Sequence, residues 1–152
     1  MPRVEATILV PGRIVEAEAL FYDPRRRPSW IDGYGTTVQV AGDWPKPGGK
    51  LTWESRPGGR GRVIERVDAF EERVSQTCTV EEERLHGTQV VTFAAEASET
   101  RVTLSLEFTI EQRSLFGPLA TFFVRRAMRD SLGRTLYRFA IERQADLGGG
   151  LG

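Results

Sequence analysis

The chain has 152 residues, of which 39% are hydrophobic and 28% are charged; this composition is typical of a globular domain and excludes a disordered or fibrous chain. Basic and acidic side chains balance at 21 each, so no long-range field draws nucleic acid or an anionic membrane to the protein. The one cysteine, Cys78, cannot form an internal disulfide, and no apolar run approaches the roughly 18 residues that a membrane span needs. We therefore expect a cytoplasmic protein.

A strand and two short helices are predicted at the start of the chain. Residues 4–10 alternate between apolar and polar side chains, as in a half-buried strand. Residues 13–22 place apolar side chains at helical spacing. Asp23 before Pro24 is typical of the N-terminus of a second short helix.

Six further strands are predicted after the short helices. The spacing of apolar residues changes to period two, and short clusters rich in glycine, proline or charge separate the runs. Turn-sized separators favour hairpins between consecutive strands, and hence an antiparallel meander. The predicted strands are residues 35–42, 49–56, 61–70, 73–81, 88–96 and 101–111.

The last predicted element is a long helix. It begins at Gly117 and Pro118 and runs to about Ala145 without another proline. One stripe of the helix is apolar, and the concave face of the sheet is the large apolar surface able to cover it. The sequence thus predicts one α+β domain over residues 1–146 and a flexible tail over residues 147–152. The stripe consists of Val124, Met128, Leu132, Leu136 and Phe139.

Three short segments carry a resemblance to known proteins. They are the short-helix pair from Asp23-Pro24 to Trp30, the entry Pro47-Gly48-Gly49 ahead of Leu51-Thr52-Trp53, and Phe116-Gly117-Pro118-Leu119 before the last helix. Together with the order of elements, they resemble the START/Bet v 1-like (SRPBCC) superfamily. The last segment is similar to the polyketide cyclase/dehydrase-like branch of that superfamily.

The resemblance implies a helix-grip fold, in which a seven-stranded curved antiparallel sheet wraps around a long C-terminal helix and two short helices follow strand one. It also implies a cavity between sheet and helix, which in relatives holds lipids, sterols, polyketides, quinones or plant hormones. A lipocalin-like barrel lacks support because its early Gly-x-Trp entry is missing. A cystatin-like cone usually places its long helix before the sheet.

Nucleophiles, metal ligands and cofactor motifs are sparse in the chain. The single histidine, His86, falls in a predicted turn, and one histidine cannot build a two-histidine iron or zinc site. Cys78 lies in mid-strand without an adjacent histidine, which favours a packing role over a nucleophilic one. No P-loop, Gly-x-Ser-x-Gly or dinucleotide glycine pattern occurs. We expect no metal and no cofactor.

Two polar residues interrupt rows of apolar side chains. Glu65 lies between Val63 and Val67, and Gln76 shares a face with Cys78. In a cavity, Gln76 would orient a carbonyl or hydroxyl group of the ligand, and a desolvated Glu65 would serve as a general acid or base. If the register differs by one residue, both side chains face water instead.

The residues expected to face a ligand come from the strands and the last helix. Trp53 is a candidate wall residue because of its place in the strand alternation. Arg125 and Arg129 flank the helical stripe and would hold an anionic group at the cavity mouth, or else their stems cover apolar surface and their heads point outward. Gly133 in mid-helix suggests close approach of a ligand or strand, or else the helix tolerates the cost of a glycine there. The full set is Trp53, Gln76, Phe108, Val124, Met128, Leu132, Arg125 and Arg129.

Three functions remain open from the sequence. The first is binding of a small hydrophobic ligand, such as a lipid, a polyketide or a quinone-like molecule. The second is a polyketide cyclase/aromatase-like enzyme that works by positioning plus one acid/base group, without a metal or nucleotide cofactor. The third is a protein-interaction module without a ligand, including a homodimer, that uses the apolar segment from Leu115 to Val124 or an edge of the sheet.

Overall fold

The computed structural model describes residues 2–110 and 118–149. Within these residues the chain forms seven strands and three α-helices, with a short 3-10 turn, Pro24–Arg26, between the first two helices. The elements are β1 (Arg3–Pro11), α1 (Ile14–Tyr22), α2 (Arg27–Trp30), β2 (Tyr34–Ala41), β3 (Lys50–Ser55), β4 (Arg62–Glu71), β5 (Ser75–Glu81), β6 (Leu85–Glu96), β7 (Glu99–Ile110) and α3 (Pro118–Gly149).

The strands form one antiparallel sheet in the order β1-β7-β6-β5-β4-β3-β2. Strands β2 to β7 pair with their neighbours in sequence, and β7 also pairs with β1. Helix α3 packs against β1, β7 and α2. The curved sheet with its long C-terminal helix is the helix-grip fold, so the predicted α+β architecture is confirmed.

The concave face of the sheet is lined with apolar side chains, as the period-two pattern predicts. In β7, Val102, Leu104, Leu106 and Phe108 are buried, whereas Glu107 on the opposite face is exposed. Because this alternation recurs along the meander, one face of the sheet supplies a continuous hydrophobic core.

The inner face of α3 is fully buried only in its C-terminal half. Leu132, Leu136 and Phe139 are buried, and the ring centroid of Phe139 lies 5.1 Å from that of Trp30. In the N-terminal half, Val124 and Met128 pack against the core but are only partly buried. The helix therefore fills the concave face at one end and leaves it less covered at the other.

Polar contacts fix the rotation of α3 about its axis. The carboxylate of Asp32, just after α2, accepts hydrogen bonds from Ser131 Oγ at 2.8 Å and from the Arg134 guanidinium at 3.0 and 3.2 Å. The backbone N–H of Asp32 donates to Thr135 Oγ1 at 2.9 Å. These bonds determine which side chains of α3 point towards the sheet.

Strand β6 begins three residues earlier than predicted. The prediction placed Leu85, His86 and Gly87 in a turn, whereas the structure pairs all three with β7, and His86 is exposed there. A Cβ at Gly87 would lie 2.0 Å from the backbone oxygen of Glu107 and 2.9 Å from Cα of Phe108. Glycine is therefore required here by a close contact between strands, whereas the sequence prediction attributed it to a turn.

Helix α3 corrects two further expectations. Apart from the adjoining backbone of α3 itself, no atom of the described residues lies within 4 Å of a Cβ built at Gly133, so this glycine marks no close approach of a strand. The helix continues to Gly149, so residues 147–149, predicted as tail, are helical. The predictions for residues 111–117, including Phe116, and for residues 150–152 lie outside the described residues.

Candidate functional site

A buried ion pair lies under the short helices. Arg27 opens α2, Glu65 lies in the middle of β4, and the Arg27 guanidinium donates a short hydrogen bond from Nη2 to Glu65 Oε2. Arg27 is 2% exposed and Glu65 is 3% exposed. Removing either charge from water is costly, so each depends on the other for its stability in the interior.

Aromatic rings enclose the ion pair. The indole N–H of Trp53 donates to the same Oε2 of Glu65 at 2.8 Å, and the Tyr34 ring stacks on Trp53 with centroids 4.5 Å apart. Cζ of Arg27 lies 5.7 Å from the ring centroids of both Tyr34 and Trp44. The rings favour the guanidinium through cation–π attraction and hold Trp53 in the orientation that bonds Glu65.

Part of the hydrogen-bonding capacity of this cluster is unused. Glu65 Oε1, Arg27 Nε and the indole nitrogen of Trp30 are buried without a partner in the described part of the chain. All three residues line a small internal pocket of about 30 Å³, which has room for roughly one or two water molecules. We call this space the inner pocket; it offers one acceptor and two donors to a polar group.

A much larger space, the outer cleft, lies at the end where α3 is only partly buried. Its volume is about 730 Å³, within the range of roughly 300–1,000 Å³ that is usual for small-molecule sites. The floor is apolar and the rim is charged. Leu85, Ile110, Val124 and Met128 contribute apolar side chains, and the rim is formed by residues 54–62 and 82–84.

Two side chains line both spaces: Arg60, from the β3–β4 turn, and Met128, from α3. Arg60 Nε donates to Glu82 Oε1 at 2.6 Å, and Cζ of Arg60 lies 5.2 Å from the centroid of the Trp53 ring. The cleft and the inner pocket therefore adjoin at these two side chains.

The structure places five of the nine predicted site residues along these spaces. Trp53, Glu65 and Leu132 line the inner pocket, Val124 lines the outer cleft, and Met128 lines both. Of the two registers left open for Glu65, the structure has the one in which its side chain points inward.

The other four predicted site residues line neither space. Gln76 points inward but its side-chain amide donates to the backbone oxygen of Pro45 at 3.0 Å. Phe108 is completely buried in the core. Arg125 and Arg129 are exposed, because they lie on α3 outside the face that carries Val124, Met128 and Leu132.

Sequence reasoning missed two functional candidates, Arg27 and Arg60. An arginine next to a proline in a short helix and an arginine in a glycine-rich turn both look like surface residues. The available signal was indirect: an inward-facing Glu65 requires a cation, and a buried carboxylate rarely lies without one.

Cys78 lies in β5 on the buried face, as the sequence predicts for a packing residue. Burial raises the pKa of its thiol well above the ordinary range, and the nearby Glu65 carboxylate raises it further. The thiol is therefore protonated at neutral pH, which is the opposite of what a nucleophilic cysteine needs.

Comparison with known proteins places the chain in a family. The family model described as "Polyketide cyclase / dehydrase and lipid transport" matches residues 1–141. The chain belongs to this family. Membership of the polyketide cyclase/dehydrase and lipid transport family confirms the resemblance drawn from the sequence and supports hydrophobic ligand binding in general. No curated protein matches the chain in sequence.

Solved structures share the fold at low identity. A protein of Thermus thermophilus has 18% identity and a TM-score of 0.77, covering 95% of this chain and 99% of its own. Ara h 8.0201 has 12% identity and a TM-score of 0.66, with coverage of 94% and 97%. DynU16, a protein of the dynemicin biosynthetic locus, has 15% identity and a TM-score of 0.66, with 92% of this chain matching 46% of DynU16.

In the described part of the chain, no helix is both long and apolar enough to cross a membrane.

The ion pair yields a stability prediction. Arg27→Met leaves the Glu65 carboxylate buried without its cation, and we expect the free energy of unfolding to fall by about 3–5 kcal/mol. Urea denaturation followed by circular dichroism measures this change. The double variant Arg27→Met/Glu65→Leu, which removes both charges, should recover most of the loss.

Arg62→Met is the matched control, because it breaks the Arg62–Glu54 pair, which has an N–O distance of 2.7 Å but lies largely in solvent. Its cost should be below about 1 kcal/mol. Equal, small losses for Arg27→Met and Arg62→Met would show that the buried pair has no special role in stability.

Proposed function

We propose that the protein binds a small hydrophobic molecule, such as a lipid, a polyketide or a quinone-like compound, in the outer cleft. The observation that carries this proposal is the cleft itself: about 730 Å³ of space over a floor of Leu85, Ile110, Val124 and Met128. A space of this size with an apolar floor has the dimensions of a ligand site. The sequence predicts a cavity between sheet and helix, and the cleft lies at one end of that interface.

The energetics favour a ligand that also makes polar contacts. Burying about 200 Å² of apolar ligand surface contributes about 5 kcal/mol at about 25 cal/mol per Å². That alone corresponds to an affinity in the high micromolar range. The charged rim and the inner pocket supply the additional groups that would select a ligand by its carbonyl or hydroxyl substituents.

The comparisons agree with this proposal in general terms. The family description names lipid transport beside polyketide cyclisation, and both activities handle largely apolar molecules of moderate size. DynU16 belongs to a biosynthetic locus, a setting in which such molecules are made.

The proposal is tested with N-phenyl-1-naphthylamine, a neutral dye whose emission rises in an apolar site. The wild-type protein should bind it saturably, and Val124→Asp should weaken binding by about tenfold or more, because a carboxylate in the cleft floor must lose water when the dye binds. Fluorescence titration gives both dissociation constants.

Ala127→Asp is the control, since Ala127 is exposed on α3 and lines neither space. It introduces the same charge on the same helix and should leave binding unchanged. The proposal fails if the wild-type protein does not bind the dye, or if the two aspartate variants weaken binding equally.

A second candidate function is catalysis of an intramolecular cyclisation. The favouring observation is Glu65: its Oε2 is held by Arg27 and Trp53, while its Oε1 is buried beside the inner pocket without a described partner. A carboxylate oxygen held in this way is placed to accept a proton from a ligand carbon or hydroxyl that reaches the pocket. Positioning of a flexible poly-ketone in the cleft would supply the rest of the rate enhancement.

Glu65→Gln tests this second function. The amide oxygen can take the place of Oε2 against Arg27 and Trp53, but the amide nitrogen then faces the pocket and cannot accept a proton. For an enzyme of this kind, turnover of a linear poly-β-ketone, followed by the absorbance of the aromatic product, should be lost while dye binding stays within a few-fold. Unchanged turnover in a folded Glu65→Gln protein would remove Glu65 as the acid/base group.

A further inference from the structure

We propose that Arg60 is a specificity-determining residue: its side chain closes the inner pocket against the outer cleft, so only ligands that displace it reach Glu65. The inference rests on the proposed binding function and names the residue that sets how deep a ligand can enter. It follows from the position of Arg60 between the two spaces and from the few contacts that hold it there.

Arg60 lies between the two spaces, and we call it and Met128 the partition. Its side chain lines both the cleft and the inner pocket, and only 22% of it is exposed. The guanidinium lies over the Trp53 ring, with Cζ 5.2 Å from the ring centroid. Since the indole N–H of Trp53 bonds Glu65, a ligand group moving from the cleft towards Glu65 must pass the place that Arg60 occupies.

Among the described residues, Glu82 holds the guanidinium in this position by hydrogen bonds. Both Nε and Nη2 of Arg60 donate to Glu82 Oε1, and the Glu82 side chain is only 7% exposed. The flanking residues of Arg60 are Gly59 and Gly61, which have no side chains to support it, and Gly61 has a φ of +79°. Loss of the Glu82 contact therefore leaves cation–π attraction to Trp53 as the main restraint.

Met128 forms the other part of the partition. Its unbranched thioether side chain has several rotatable bonds and adapts to neighbouring groups at low cost. Displacement of Arg60 towards solvent, combined with a rotamer change of Met128, joins the two spaces. The group that then fits beside Glu65 Oε1, Arg27 Nε and the Trp30 indole N–H is one that both donates and accepts hydrogen bonds, such as a hydroxyl.

The chain offers a matched pair of variants for the test. Arg60→Ala and Glu82→Gln alter the partition, whereas Arg101→Ala and Glu96→Gln alter another arginine–glutamate pair, which has an N–O distance of 2.6 Å. Arg101 and Glu96 line neither the cleft nor the inner pocket. If Arg60→Ala proves poorly folded, Glu82→Gln weakens the same contact and retains both side chains.

The probe is 2-naphthol, a small aromatic molecule whose hydroxyl becomes strongly acidic on excitation, so emission from the naphtholate form reports a proton acceptor beside it. Stopped-flow mixing gives the association rate constant, and the emission spectrum of the bound probe gives the naphtholate fraction. Arg60→Ala should raise the rate constant about tenfold, corresponding to about 1.4 kcal/mol, and should raise the naphtholate fraction. Glu82→Gln should produce a smaller rise in both, and the two control variants should match the wild type.

A ligand-free measurement separates this inference from the proposed function. In the protein without probe, Arg60→Ala should increase quenching of tryptophan fluorescence by acrylamide, because the guanidinium no longer covers Trp53, and Arg101→Ala should not. Binding of 2-naphthol with the same rate constant and emission in Arg60→Ala and Arg101→Ala overturns the role of Arg60 while leaving the binding function intact. Absence of 2-naphthol binding in every protein, with acrylamide quenching increased by Arg60→Ala alone, overturns the binding function and with it the role of Arg60 in ligand selection.

Discussion

The pairing of Arg27 with Glu65 inside the protein is the constraint on which the site depends. Two charges at 2% and 3% exposure are tolerable only as a pair with further hydrogen bonds, and here one carboxylate oxygen receives bonds from both Arg27 and Trp53. The pair ties α2 to the middle of β4, and Trp53 ties it to β3. The short helices are thereby held over the concave face at a defined place.

The interior has two regions because α3 packs closely against the sheet along its C-terminal half and less closely along its N-terminal half. At the C-terminal half of the helix, Leu136 and Phe139 fill the concave face together with Phe21 and Trp30. Towards the N-terminal half, Val124 and Met128 leave the outer cleft open. The polar inner pocket lies between these two regions, which places the buried carboxylate at the inner limit of a largely apolar space.

Periodicity was sufficient to predict the sheet and the long helix. The alternation along β7 and the apolar stripe from Val124 to Phe139 are local patterns of the sequence, and each indicates directly which side chains are buried. Gly87 was misread because a glycine required by a close strand contact looks the same in sequence as a glycine required by a turn.

The site was less accessible to sequence reasoning because its contacts join distant residues. Glu65 could be recognised as a break in an apolar row, but Arg27 lies 38 residues away from it, and no local pattern links the two. Arg60 lies in a glycine-rich turn, where an arginine normally projects into solvent. Only the hairpin geometry that brings Glu82 beside it shows that its side chain lies between two spaces.

The central claim is that a hydrophobic molecule binds in the outer cleft, and the methionine content of the chain allows a direct measurement. The chain has two methionines, Met1 and Met128, so a protein labelled with ¹³C at the methionine methyl groups gives a simple spectrum in which Met128→Leu identifies the Met128 signal. During titration with N-phenyl-1-naphthylamine, we expect the Met128 signal to shift saturably in the wild-type protein and in Ala127→Asp, with the dissociation constant that fluorescence gives. A Met128 signal that does not move while the dye binds, or a shift that does not saturate, would contradict binding in the cleft.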